Sequence, residues 1–221
     1  MVYPVCLDIR GRLCVVVGGG NVAQRKVQAL LAAGARVRLI SPGLTGGLAG
    51  LAATESIEWR NRKFREDDLE GALLVFAATD DRRIQQLICS RAARNGQLVN
   101  VADDPGRCNF HVPAFFQRGS LTIAVSTGGA SPAVAAMIRN KLAGEFGAEY
   151  EVLLDIMAMI RQRLRDGDDS QVERKKIYKK ILHDDIVEWI RSGRREALRL
   201  HLAGVLGPGS GHDIDQIVSR I

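Results

Sequence analysis

The stretch that most constrains the fold is Leu13-Cys14-Val15-Val16-Val17-Gly18-Gly19-Gly20-Asn21-Val22-Ala23. A short, mostly β-branched run ends in a glycine cluster and passes at once into Gln24-Arg25-Lys26-Val27-Gln28-Ala29-Leu30-Leu31. Ala23, Val27, Leu30 and Leu31 recur at helical spacing, so the order is strand, tight turn, helix. In that setting G-x-G-x-x-G/A carries information, here with Gly18, Gly20 and Ala23 in the small positions. Gly18 permits the turn, Gly20 lets a pyrophosphate approach bare backbone, and Ala23 keeps the helix close to the strand. Free N–H groups at the helix start, aided by the helix dipole, face the phosphates. The plainer reading is an ordinary glycine-rich turn; the context favours a dinucleotide site.

Further elements repeat the alternation of strand and helix. Residues 3–9 read as a short strand closed by Arg10-Gly11. Gly34 suits the end of the first helix, and residues 37–40 form a strand ending at Ser41-Pro42-Gly43. The acid that usually holds a ribose there is missing, which leaves Ser41 as a hydroxyl partner and the choice between NAD and NADP open. Arg36 and Arg38 alternate with Val37 and Leu39 as outward positions. Residues 44–53 read as a helix, 57–60 as a strand, and 73–78 as an apolar strand covered on both faces. That strand ends in Thr79-Asp80-Asp81, where an aspartate either caps the helix over 82–95 or meets a ligand. Residues 98–101 give a fifth strand, leaving the sheet through Asn100-Val101-Ala102-Asp103-Asp104-Pro105-Gly106. Pro105-Gly106 marks a turn, and Asp103 directly follows the strand.

Beyond Phe110-His111-Val112-Pro113, residues 121–126 alternate as a half-buried antiparallel strand. Ser126-Thr127-Gly128-Gly129-Ala130-Ser131-Pro132 follows, with Ser131 as N-cap and Pro132 as the first residue of a helix to about 146. That start is either a second anion site or an elaborate cap. From Ala148 the pattern is helical, with Val152, Leu153, Ile156, Met157, Ile160 and Leu164 in one packing stripe, broken at Asp166-Gly167-Asp168-Asp169. Helices follow over 171–183, 184–190 and 194–203, and residues 204–211 read as a mobile, Gly/Pro-rich tail.

The 221 residues allow one large domain or a domain with an appendage. No apolar run reaches membrane-spanning length and no signal segment opens the chain, so a soluble cytoplasmic protein is expected. Cys6, Cys14, Cys89 and Cys108 form no C-x-x-C pair, which argues against a zinc site or disulfide framework. The formal charge of +6 is concentrated in the C-terminal third, in Arg174-Lys175-Lys176 and Lys179-Lys180. It reads as a solvated helix face or as attraction for an acidic partner.

Four motifs in order, Gly18 to Lys26, Ala77-Ala78-Thr79-Asp80-Asp81, Asn100-Val101-Ala102-Asp103 and Ser126 to Pro132, resemble the precorrin-2 dehydrogenase family of sirohaem synthesis. The match spans about residues 1 to 200. The resemblance implies an α/β fold: a Rossmann-type parallel sheet over 1–112, a small α+β dimerisation segment over 113–147, and a helical domain over 148–221. It implies NAD-dependent oxidation of precorrin-2 to sirohydrochlorin and a stand-alone homodimer without nucleic-acid or membrane partners. Some members also insert Fe2+ as a substrate, and no resident metal is implied. By the family motif Asp103 is the base. Gly18, Gly20, Asn21, Val22, Ser41, Pro42, Gly43, Thr79 and Asp80 attend the cofactor. Thr127, Gly128, Gly129 and Ser131 attend the substrate. Thr127 stands where some members carry a modifiable serine. His111 has no firm counterpart and reads as a packed loop histidine or a neighbour of metal or propionate. Two rivals stay open: an NAD-sensing module without catalysis, and a nucleic-acid binder suggested by charge alone.

Overall fold

In the computed structural model, which describes residues 2–167, 170–183, 185–207 and 210–219, the glycine-loop strand becomes the centre of a sheet. In chain order the first elements are β1 (Leu13–Val17), α1 (Asn21–Ala32), β2 (Arg36–Ile40), α2 (Gly46–Ala53), β3 (Glu58–Arg60), β4 (Leu74–Ala77), α3 (Arg82–Arg94) and β5 (Leu98–Val101). The five strands are parallel, in the order β3-β2-β1-β4-β5.

Alternation along β1 serves two cores. Cys14 and Val16 pack with Ala23, Val27 and Leu30 of α1, Leu48 of α2 and Phe76. Val15 and Val17 pack on the other face with Leu69 and with Ile88 and Ala92 of α3. A strand buried on both sides must be apolar throughout, which is why Leu13–Val17 and Leu74–Ala77 are unbroken runs. Burial pushes the Cys14 thiol up to about 11, so it stays protonated and packs as a small apolar group. Gly34, at φ +75°, ends α1 with its N–H donated to the Leu31 carbonyl at 2.9 Å.

The chain divides after Val112 into two units, Met1–Val112 and Pro113–Ile221. The second holds an antiparallel hairpin, β6 (Ala114–Arg118) with β7 (Leu121–Val125), then α4 (Pro132–Glu145) and α5 (Glu149–Asp166). The helices α6 (Gln171–Ile181), α7 (Ile186–Arg191), α8 (Arg195–Leu206) and α9 (Gly211–Val218) complete it. The α5 stripe lies as expected: Leu153, Ile156, Ile160 and Leu164 form a core with Ile181, Ile186, Ile190, Leu198 and Leu202.

Three expectations are corrected. Residues 3–9 are not a strand: they pair with neither edge of the five-stranded sheet, and Tyr3, Val5 and Leu7 stay exposed. Strand β6 was not anticipated; Gly119, at φ +52°, and Ser120 make the two-residue loop that pairs it with β7. The expected mobile tail, 204–211, includes helical residues: 204–206 close α8 and Gly211 opens α9. Gly204 lies inside α8, and α9 buries Ile214 and Ile217 in the helical core. Asp168, Asp169, Asp184, Pro208 and Gly209, on which other boundaries fell, lie outside the described residues.

Candidate active site

Three loops meet at the carboxyl edge of the sheet where the strand order reverses, between β1 and β4, the place where open α/β sheets bind ligands. Gly18 has φ +123° and donates its N–H to the Ile40 carbonyl at 2.9 Å. A Cβ on Gly18 would collide with the carbonyl of Ala78, so β1 and β4 pass into their loops in backbone contact. A Cβ on Gly19 would collide with the carbonyl of Gly43, and Thr45 donates its N–H to the Gly19 carbonyl at 3.0 Å. Gly19 occupies a variable position of the motif, yet it seats the β2–α2 loop on the glycine loop. The motif alone does not reveal this role.

Gly20 differs from both. Its φ is −86°, nothing lies within 4 Å of the place a Cβ would take, and it begins α1 with no side-chain cap. No acid stands in the first turn of α1. An uncapped helix start beside open space fits a pyrophosphate, whose oxygens take the amides that have no intrahelical acceptor. Asn21 is exposed and Val22 half-buried beside it; Pro42 and Gly43 are exposed on the neighbouring loop.

Ser41 is turned inward. It is buried, its Oγ donates to the Gly43 carbonyl at 2.7 Å, and Trp59 Nε1 donates to the Ser41 carbonyl at 3.0 Å. The hydroxyl anticipated as a ribose partner instead shapes the loop. Of the two aspartates after β4, Asp81 caps α3, its Oδ1 accepting from Arg83 N at 2.9 Å and Ile84 N at 3.2 Å. Thr79 Oγ1 accepts from Asp81 N at 3.3 Å, and Gln85 Nε2 donates to the Thr79 carbonyl at 2.7 Å. Asp80 is exposed, and among the described residues its carboxylate has no hydrogen-bond or ion-pair partner.

Asp103 stands two residues beyond β5 with φ +60°, a left-handed conformation unusual for a residue other than glycine. It is exposed, and among the described residues its carboxylate has no hydrogen-bond or ion-pair partner. β5 lies one strand beyond β4 from β1, so at ordinary strand spacing it runs about 10 Å from β1. The loop is held by the Cys108 thiol, which accepts from Val101 N at 3.2 Å and from Asn100 Nδ2 at 3.6 Å. The same sulfur lies 3.3 Å from the Asp104 carbonyl. Asp104 begins a 3-10 turn (Pro105–Arg107) and pairs with Arg107 at 3.1 Å. Behind it Lys26 Nζ lies 5.5 Å from the Phe76 ring centroid, and burial lowers the lysine pKa.

Thr127, Gly128, Gly129 and Ser131 come together in the second unit as the start of α4. Thr127 Oγ1 accepts from Ser131 N and donates to the Ser131 carbonyl, both at 3.1 Å. Ser131 Oγ accepts from Val134 N at 3.2 Å. Both hydroxyls therefore build the cap, while Gly128 and Gly129 are exposed at φ +61° and +88°. His111 is exposed, without a described partner. No group of three metal-ligating side chains occurs among the described residues.

Comparison with known proteins agrees with this geometry. A family profile described as putative NAD(P)-binding matches residues 5–114, and one described as sirohaem biosynthesis protein, central, matches 118–145. Siroheme synthase of Nitrosomonas eutropha is 36% identical over 205 residues, which is 92% of this chain and 43% of that protein. Siroheme synthase of Nitrosococcus oceani is 37% identical over 212 residues, 94% of this chain and 45% of that protein. The chain thus spans less than half the length of these relatives. The solved structure of SirC, a precorrin-2 dehydrogenase, superposes over all of both chains with TM-score 0.74 at 24% identity, which shows a common fold. Fold and glycine loop define a Rossmann-type NAD(P)-binding protein. More particularly, its two profile matches and its siroheme synthase relatives make the chain similar to proteins of sirohaem biosynthesis.

Proposed function

We propose that this protein oxidises precorrin-2 to sirohydrochlorin with NAD. The observation that carries the reading is Asp103: an unpaired, exposed carboxylate in a left-handed conformation, on the sheet edge that also bears the glycine loop. The oxidation removes a hydride and a proton from the macrocycle. Bound NAD supplies the hydride acceptor. The amides at the start of α1 hold the pyrophosphate, Gly20 leaves room for it, and the exposed Pro42-Gly43 loop lies on the adenosine side. Asp103 takes the proton; a positioned carboxylate base contributes about 100-fold or more. Asp80 and Thr79 border the same sheet edge.

The same carboxylate suits a second reaction, the removal of pyrrole N–H protons as Fe2+ enters sirohydrochlorin, with the metal as substrate. A homodimer is part of this reading. Val134, Met137 and Ile138 lie at one-turn spacing on α4 and are exposed together with Phe115 of β6, an apolar face that a second copy would cover. No described helix is long and apolar enough to cross a membrane.

The test is to mix the purified protein with precorrin-2 and NAD and follow nicotinamide reduction. Asp103→Ala should lose about 100-fold or more in kcat while keeping its affinity for NAD. NAD binding without turnover would favour a sensing module, and turnover unchanged by the substitution would remove Asp103 from its role.

A further inference from the structure

Helices α5 and α6 form a groove of about 540 Å³, lined by Arg161 and Arg165 of α5 and by Gln171, Arg174, Lys175 and Tyr178 of α6. Its volume falls in the range of small-molecule pockets. Among the described residues four cations border it, and no carboxylate does. Three described acids of these two helices are engaged elsewhere. Glu149 pairs with Arg191 at 2.7 Å, Asp166 accepts from Gln162 at 3.0 Å, and Glu173 accepts from Ser170 N at 2.9 Å. Arg163, on another face of α5, is paired with Asp213. By contrast, the side chains of Arg161, Arg165 and Lys175 have no hydrogen bond or ion pair among the described residues. Arg174 is half-buried and donates to the Leu164 carbonyl at 3.5 Å.

Like charges gathered around one groove repel one another, a cost that a bound polyanion removes. The walls are not purely polar: the aliphatic stems of the three arginines and the Tyr178 ring offer apolar surface beneath the charged heads. This combination fits a ligand with a flat apolar body and several carboxylates at its rim, each able to meet a guanidinium fork. A nucleic-acid duplex fits less well. Its phosphates run in long regular rows, whereas the eleven residues of α6 extend only about 16 Å.

We infer that the α5–α6 groove is a binding site for a tetrapyrrole polycarboxylate, formed by residues of the second unit alone. The naming of the ligand rests on the function proposed above; affinity of the groove for a polycarboxylate does not. The site gives the acidic macrocycle a seat that involves neither the glycine loop nor Asp103.

The experiment titrates the full chain with uroporphyrin, a macrocycle with eight carboxylates, and with coproporphyrin, which has four, following porphyrin fluorescence. The variant R161Q/R165Q/K175Q removes three charges whose side chains make no hydrogen bond or ion pair among the described residues. It should weaken uroporphyrin binding, or abolish one of two binding phases, by at least about tenfold, the worth of one charge-assisted hydrogen bond. Coproporphyrin should bind less tightly than uroporphyrin, and NAD affinity and kcat should stay at wild-type values. R174Q provides a second variant, with helix content checked by circular dichroism. Uroporphyrin binding unchanged in the triple variant would overturn the proposal. So would loss of binding in Asp103→Ala alone, or a short DNA duplex displacing uroporphyrin from the groove. Failure of precorrin-2 to reduce NAD would sink the proposed function and leave this binding result standing.

Discussion

The thiol of Cys108 lies 3.2 Å from the backbone nitrogen of Val101, so the last strand of the sheet is tied to the turn seven residues on. Asp103 sits inside the loop thus closed, in a left-handed conformation that the chain must be made to hold. Cys108→Ala removes the acceptor and should cost about 1 kcal/mol, the usual penalty for a backbone N–H left without its partner. In the enzyme assay kcat should fall with little change in KM for NAD, because the glycine loop is untouched. Cys108→Ser, which keeps an acceptor, should restore most of the rate. Equal kcat in all three proteins would show that the loop holds Asp103 without the sulfur.

Gly19 and Gly20 are neighbours with opposite reasons for being glycine. A methyl on Gly19 meets the Gly43 carbonyl, so Gly19→Ala must push the β2–α2 loop away. It should destabilise the fold by about 1–3 kcal/mol, as overpacking does. A methyl on Gly20 meets nothing in the protein and its φ of −86° suits any residue. Gly20→Ala should therefore keep the wild-type Tm and lose affinity for NAD, since the methyl occupies the path of the pyrophosphate. Thermal melts with and without NAD separate the two; a lowered Tm for Gly20→Ala in the absence of NAD would contradict this division.

The contrast shows what could be read from the sequence and what could not. The parallel sheet was legible because residues buried on both faces have to be apolar, and β1 and β4 are apolar throughout. Cap chemistry was legible too: Ser131 and Pro132 start α4 as their residue types require. Residues 3–9 misled because local composition can suggest an extended backbone but does not name a partner strand, and this segment pairs with neither edge of the sheet. Ser41 was legible as a hydroxyl in the right place, but no pattern tells which way it turns. The first turn of α9 carries Gly211, His212 and Asp213, which disguised a helix held by Ile214 and Ile217.

Thr127 reaches two backbone groups of Ser131 with one oxygen. Thr127→Val keeps the shape and loses both bonds, and should lower stability by about 1–2 kcal/mol. Thr127→Ser should preserve them. If turnover follows stability across the pair, the hydroxyl serves the cap; if Thr127→Val folds normally and loses kcat, the hydroxyl meets the substrate.

Asp68 is fully buried beneath β3, where it accepts from Arg62 at 2.7 and 2.8 Å, from Arg65 N at 2.8 Å and from Arg60. Burial alone would raise its pKa. The Arg62 guanidinium, the Arg65 amide and Arg60 outweigh it and hold the carboxyl below its ordinary range. Nearby Glu58 is likewise lowered: burial, its first influence, is overcome by Arg38 and Arg60. An unfolded chain therefore binds these protons more readily than the folded one. The stability that Asp68 lends is fully present above the ordinary carboxylate range and is lost as pH falls through its lower folded pKa. Asp68→Asn leaves two arginines facing a neutral group and should cost about 3 kcal/mol at neutral pH. Urea midpoints for wild type and variant should differ most near pH 7 and converge in acid. A difference that does not change with pH would show that Asp68 acts through packing and not through its charge.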